Sequence, residues 1–298
     1  MKRHLRTLII VAGCLVLALD IATLGWAFTR AGGVRPAKFP GRIAVRDGCG
    51  VQHMWPDGTD RRTMCLQGVF DEVSVSRNGE KLAWDSKTGK GIHISGTDGA
   101  NPASVPVPLG FNGAPSLAPD ADKIAFLHSE HDDGKYDVWV TSVNVADAEQ
   151  LTNTRNVSDV AWSPADDWIV YVQNWSPNTE QGQLSLVRPN GDDAHRTGLE
   201  GDAPSWSPDG KQIVYVHDRS LWVAAADGSN ARRLISDGHA PAWSRDGELI
   251  AFLRTEKCSR NLCPEHLMRA FSDGTGPVEV GPVYPEERQV LWLPDPFE

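Results

Sequence analysis

Along most of the chain a short apolar strand, a tight polar turn and a second apolar strand recur in the same order. The clearest copy is PSWSPDGKQIVYV at residues 204–216. The apolar residue just before the turn returns at Val75, Leu117, Trp162, Trp206, Trp243 and Trp292, in steps of 37 to 49 residues. The apolar triplet after the turn returns at Leu82-Ala83-Trp84, Ile124-Ala125-Phe126, Ile169-Val170-Tyr171, Ile213-Val214-Tyr215 and Ile250-Ala251-Phe252. Between them stand SRNGEK, APDADK, SPADDW, SPDGKQ and SRDGEL. Proline presets φ for the second position of a turn, Asp and Asn bond back to the backbone, and Gly accepts φ > 0, so each is read as a hairpin turn. A third apolar run follows in each unit, as in Ser220-Leu221-Trp222-Val223, then a second turn such as Asp227-Gly228 and a short fourth strand. A four-stranded unit at this spacing is the period of a ring of blades.

The two ends of the pattern complement each other. The first run of the second-strand type, Ile43-Ala44-Val45, has no turn-preceding strand before it, and the last turn-preceding strand, Val290-Leu291-Trp292, has no successor. If the C-terminal strand completes the N-terminal blade, no unpaired edge is left at the join. The expectation is an all-β, six-bladed β-propeller of four-stranded blades over residues 41–294, closed by the C-terminal strand joining the first blade, with residues 295–298 as a short tail. The pattern SPDGK, IVYV, LWV, ADGSNARRL resembles the WD40-like (PD40) repeats of TolB-type propeller proteins of bacterial envelopes. The resemblance covers roughly residues 41–294 and implies the fold more specifically than the function. TolB-type proteins carry an additional α/β domain ahead of the propeller, where this chain has an apolar segment.

That segment changes the picture. Residues 1–7 hold Lys2, Arg3, His4 and Arg6, and residues 8–28 are almost wholly apolar, with Asp20 the one formal charge. At 1.5 Å per residue, 21 residues cover about 30 Å, enough for a transmembrane helix. Three readings are open: an uncleaved signal anchor, which the length favours; a cleaved signal peptide; and a lipobox at Val11-Ala12-Gly13-Cys14 that would lipidate Cys14. Residues 29–40 read as a linker. The short basic N-terminus favours a cytoplasmic tail at 1–7 and a single-pass cell-membrane protein with its propeller on the extracytoplasmic side, in the periplasm.

Charge narrows the partners. The 298-residue chain has a net charge of −10. Six of its 29 basic residues but one of its 39 acidic residues lie in 1–40, leaving 23 against 38 beyond, a net −15. A domain this acidic excludes nucleic acid, whose binding rests on neutralising phosphates. Of the four cysteines outside the apolar segment, Cys49 and Cys65 fall in the first blade and Cys258 and Cys263 in the last. An even count in an exported domain points to disulfides. The local pairing is Cys49 with Cys65 and Cys258 with Cys263, three connectivities being possible; a zinc site with His53 or His266 is the competing reading.

Variation collects on one rim, in the loops 128–135, 173–182 and 254–265, where binding residues on a rigid scaffold tend to sit. Counting back from each turn places Asp71, Gly113, Ser158, Asp202, His239 and Arg288 around the channel mouth on that rim, with Asp159 and Glu287 adjacent. This polar ring is the candidate binding site. The turn residues Asp209 and Asp246 are read as serving their own turns, and the recurring tryptophans as packing between blades. No Gly-x-Ser-x-Gly elbow, His-Glu-x-x-His motif or phosphate-cradling glycine loop is found. The expected function is therefore a monomeric, non-catalytic binding or scaffold module, without cofactor, for a protein or cell-envelope partner. The alternative is a small-molecule or glycan hydrolase or lyase with a metal held by His239, Asp202 and Asp71.

Overall fold

The computed structural model describes residues 41–294 except 48–49, 67–71, 87–90, 132, 166, 177–180, 257–263 and 284–288. All described residues fall within the unit Pro40–Glu298. The apolar segment 8–28 and Cys14 lie outside the described residues, among which no helix is long and apolar enough to cross a membrane.

The regular structure is all strand. The first sheet holds β1 (Arg42–Asp47), β2 (Gly50–Met54) and β3 (Arg62–Cys65), and β23 (Val290–Leu293) from the other end of the chain lies beside β1. The pairing is antiparallel, with Ile43 opposite Trp292 and Val45 opposite Val290. The second sheet runs β4 (Val73–Val75), β5 (Lys81–Asp85), β6 (Ile92–Gly96), β7 (Ala103–Val105). The third runs β8 (Phe111–Leu117), β9 (Lys123–Ser129), β10 (Asp137–Ser142), β11 (Glu149–Gln150).

Next comes a seven-stranded sheet: β12 (Val157–Trp162), β13 (Ile169–Ser176), β14 (Gln181–Val187), β15 (His195–Trp206), β16 (Gln212–His217), β17 (Ser220–Ala225), β18 (Arg232–Ile235). The last four-stranded sheet is β19 (His239–Trp243), β20 (Leu249–Thr255), β21 (Glu265–Phe271), β22 (Val278–Val283).

The grouping is thus four four-stranded sheets and one seven-stranded sheet, not six separate four-stranded ones. The reason lies in β15. Its first half pairs with β14, Leu186 opposite His195, and its second half with β16, Trp206 opposite Ile213. Between the halves Leu199-Glu200-Gly201 stays extended, whereas the corresponding step between β18 and β19 is broken by Ser236-Asp237-Gly238.

The strands before each turn follow one another in a circuit, β23 beside β4, then β8, β12, β15, β19 and β23 again. Apolar clusters fill the seams. Ala44, Leu82 and Leu291 meet between the first and second sheets, and Ile43, Leu253 and Trp292 between the last and the first. The buried tryptophans act as packing and as hydrogen-bond donors. The indole N–H of Trp206 donates to the Ala161 carbonyl, and that of Trp292 to the Ala242 carbonyl, both at 3.0 Å. Elsewhere a serine hydroxyl does the work: Ser74 accepts from the Leu117 amide and Ser116 from the Trp162 amide.

The turns follow their composition. The amides of Gly79, Gly210 and Gly247 donate to the carbonyls of Ser76, Ser207 and Ser244. Asp209 accepts from the Ser207 hydroxyl and Lys211 amide, and Asp246 from the Ser244 hydroxyl and Glu248 amide. Both carboxylates therefore serve their own turns.

At the join between β23 and β4 the side chain of Gln289 clamps the Val73 backbone, its Oε1 accepting from the amide and its Nε2 donating to the carbonyl, each at 2.8 Å. Val73 is buried, so Gln289→Ala strands two backbone groups, and the expected cost is about 2 kcal/mol of unfolding free energy. Denaturant unfolding checks this; a change below about 0.5 kcal/mol would show that the clamp contributes nothing.

Candidate functional site

The central cavity enclosed by the strands that precede each turn has a volume of about 1040 Å³. Its wall combines backbone and small side chains, among them Ser74, Ser116, Ser205 and Ala161, with the tryptophans Trp162, Trp206, Trp243 and Trp292. Those strands all run from the rim of the long loops toward the rim of the tight turns. Glu72, Asp159, Gln289 and Arg46 therefore mark one mouth, and Arg77 and Arg245 the other.

The mouth on the long-loop side is shaped by irregularities in the strands. In β8, β15 and β19 the register slips by one residue, between Gly113 and Ser116, Asp202 and Ser205, and His239 and Ala242. The sequences there are Gly-Ala-Pro, Asp-Ala-Pro and His-Ala-Pro, and the three alanines, Ala114, Ala203 and Ala240, adopt φ of 48°, 46° and 48°. Such bulges re-aim the residues beside them. β12 lacks the Ala-Pro pair and slips earlier, between Val157 and Asp159. Consequently Asp159, opposite Val172, occupies the place that Asp202, opposite Val216, occupies in the next strand of the circuit. Counting back from the turn aligns Ser158 instead, and Ser158 is exposed and does not line the cavity.

Asp159 and Asp202 interact. Burial pushes the Asp159 carboxyl up to about 7 and the charge of Asp202 adds to the rise, while the amides of Val160 and Ala203 pull it back. Asp159 as a residue keeps intermediate exposure; that exposure faces the cavity, where confined water solvates a carboxylate less well than bulk water does. The Asp159 carboxyl therefore takes up a proton near neutrality.

Of the other candidates, His239 lies beside Glu265, Nε2 to Oε1 at 3.5 Å, and does not line the cavity. Asp71, Glu287 and Arg288 lie outside the described residues. Counting back four residues from the apolar residue before each turn missed Glu72 and Gln289, which stand three before Val75 and Trp292 as Asp159 stands three before Trp162, and it missed Arg46, which lies on β1. It also missed Asp137, a buried carboxylate whose Oδ1 accepts from the Thr152 hydroxyl and the amides of Thr154 and Arg155 to order the loop leading into β12.

Cys65 is disulfide-bonded, and Cys49, Cys258 and Cys263 lie outside the described residues. His53 accepts from Arg42 Nε at 2.7 Å, and His266 Nδ1 lies 2.8 Å from Glu279. Among the described residues no group of three or more His, Cys, Asp or Glu side chains is arranged to hold a metal ion.

A circuit of radial antiparallel sheets around a polar-mouthed cavity, joined by its own C-terminal strand, defines a β-propeller. The chain matches the profile of the PD40 TolB beta propeller domain over residues 57–264, and it belongs to that family. Its fold is similar to that of TolB from Acinetobacter baumannii, with a TM-score of 0.71 and 18% identity, covering 87% of this chain and 68% of that one. It is also similar to a candidate TolB from Agrobacterium tumefaciens, with a TM-score of 0.65 and 15% identity over 85% of this chain and 92% of that one. A chain of a nidogen/laminin complex shares the fold with a TM-score of 0.65 at 10% identity, over 84% of this chain and 97% of that one. Among curated proteins, the uncharacterized protein YidR of Escherichia coli strain K12 is 25% identical over 114 residues. That match takes in 37% of this chain and 26% of YidR, so the chain spans about a quarter of that relative.

Proposed function

We propose that the chain is a non-catalytic binding module of the cell envelope, engaging a protein partner through the rim that carries the loops 128–135, 173–182 and 254–265. The acidic mouth on that rim, marked by Glu72 and Asp159, with Asp202 off the cavity lining but acting on Asp159 through its charge, carries the reading. With a net −15 over residues 41–298, it favours a partner that presents a basic segment. Family membership supports the propeller as a module for protein contacts. In this reading the seven-stranded sheet counts as two blades sharing β15, which makes six around the ring. Residues 8–28 act as a single-pass signal anchor that holds the disc on the extracytoplasmic side as a monomer. The disulfides pair Cys49 with Cys65, across the blade built from both chain ends, and Cys258 with Cys263.

Capture from envelope extract with the full chain tests the proposal. A partner retained by the wild type should be lost when the three loops are replaced by short turns. Undiminished capture by the grafted chain would reject this rim as the interface.

A further inference from the structure

The sheet built from both chain ends departs from the repeat at two neighbouring positions. In the rest of the ring the middle residue of the apolar triplet after the turn stands opposite Ile94, Val140, Leu186, Val223 or Arg269, the first four aliphatic and buried. In the first sheet Ala44 stands opposite His53. The residue before the triplet is Lys81, Lys123, Trp168, Gln212 or Leu249 elsewhere, but here it is Arg42, which is 1% exposed. A guanidinium so buried has to be met by partners.

Its partners tie down one turn. Arg42 donates from Nε to His53 Nδ1 at 2.7 Å, from Nη1 to the Asp60 carboxylate at 2.9 Å and from Nη2 to the Asp60 carbonyl. The guanidinium also lies over the Trp55 ring, 4.5 Å from its centre. The turn held in this way, residues 55–61 between β2 and β3, sits on the last sheet, across the closure seam. Arg269 on β21 donates from Nε to the Pro56 carbonyl at 2.7 Å, and Arg61 donates from Nη1 to the Pro282 carbonyl on β22 at 3.4 Å. A Cβ on Gly58 would lie 2.3 Å from the Val280 carbonyl oxygen. The turns at Gly228 and Gly274 are seated in the same way, a Cβ there lying 2.4 and 2.6 Å from the Thr197 and Leu234 carbonyl oxygens, but Val223 and Arg269 stand in those sheets where His53 stands in the first.

The bond from Arg42 fixes the state of the imidazole. A guanidinium can only donate, so His53 Nδ1 accepts and carries no proton. A proton there removes the bond and sets two cations side by side. Burial, then Arg42 on β1 and Arg62 on β3, hold His53 below its ordinary value of 6.5, while Asp60 on the turn works the other way. The second sheet meets this face with the apolar Leu82 and Trp84. Because the folded value lies below the unfolded one, the stability this contact gives is complete above about pH 6.5 and is lost as pH falls beneath it. Asp60, held below its ordinary 3.8 by Arg62 and Arg42, keeps its charge through that window.

We infer that Arg42, His53 and Asp60 form an acid-released latch on the closure seam: a proton taken up at His53 Nδ1 frees the 55–61 turn from β21 and β22, while β23 still joins the ring. The latch is separate from the loops proposed to hold a protein partner, and the two readings are tested apart.

The test is deuterium exchange of the full chain in detergent micelles, read by mass spectrometry at pH values from 7.5 to 5 and corrected for the intrinsic exchange rate at each. Opening of the segment 55–61 is expected to rise at least tenfold at pH 5, with the turns at Gly228 and Gly274 changing less than twofold. His53→Asn keeps an acceptor toward Arg42 and does not titrate, so its 55–61 segment should open equally across the range. Arg62→Gln, at a side chain 54% exposed, removes a cation that opposes protonation of His53 and should move the midpoint of opening to higher pH; it decides the matter if His53→Asn fails to fold. No rise in the wild type, an equal rise at all three turns, a rise that survives in His53→Asn, or a midpoint unmoved in Arg62→Gln would overturn the inference.

Discussion

Ending the chain after Tyr284 is expected to abolish the cooperative thermal transition of the propeller. The truncation removes β23, whose Val290, Leu291, Trp292 and Leu293 are all buried. At about 1.5 to 3 kcal/mol for each large apolar side chain, the loss is on the order of 10 kcal/mol, comparable with the whole stability of a typical domain. It also leaves β1 with an open edge from Arg42 to Val45, a template for pairing with other chains, and it deletes the Gln289 clamp on Val73. Circular dichroism melting and size-exclusion chromatography would show an unfolded or associated product. A truncated chain that is monodisperse and melts within a few degrees of the full chain would mean that ring closure contributes nothing.

Asp159→Asn is expected to act in the other direction, raising stability at pH 8 and not at pH 4. Because the folded carboxyl is raised to about 7 from its ordinary value of 3.8, the native state holds more protons than the unfolded one between these values. Stability from this group is therefore greatest below pH 4, declines as pH rises through the window from about 4 to 7, and is flat beyond it. Asparagine keeps an acceptor for the amides of Val160 and Ala203 and carries no charge to bury or to set against Asp202. A gain of a few kcal/mol at pH 8, shrinking toward zero at pH 4, is the expected profile. A pH-independent difference, or a loss at pH 8, would show that the pair is not strained by its burial.

The strands and tight turns were legible because their signals are local. A Ser-Pro-Asp-Gly turn between two apolar triplets needs nothing distant to define it, and the complementary ends pointed to the pairing of Ile43 with Trp292. Local counting also reached Asp159 and Asp202. It reached Asp159 only as a neighbour of Ser158, because the Ala-Pro bulges of β8, β15 and β19 shift the mouth by one residue and β12 has none. The continuity of β15 was not legible either, since nothing in Leu199-Glu200-Gly201 distinguishes an extended join from a loop. Gln289 was invisible for a different reason. Its partner is 216 residues away, and a single glutamine in a polar stretch carries no periodic signal.

The unbroken β15 has a mechanical consequence. A fluctuation that parts neighbouring sheets must slide one face of side chains past another, and at the links 106–110, 151–156 and 236–238 the chain between sheets is not itself strand. At β15 the link is itself hydrogen-bonded on both flanks, to β14 along its first half and β16 along its second. That sector therefore moves as one plate. Any breathing that widens the central cavity is concentrated at the remaining seams, including the one fastened by the two chain ends.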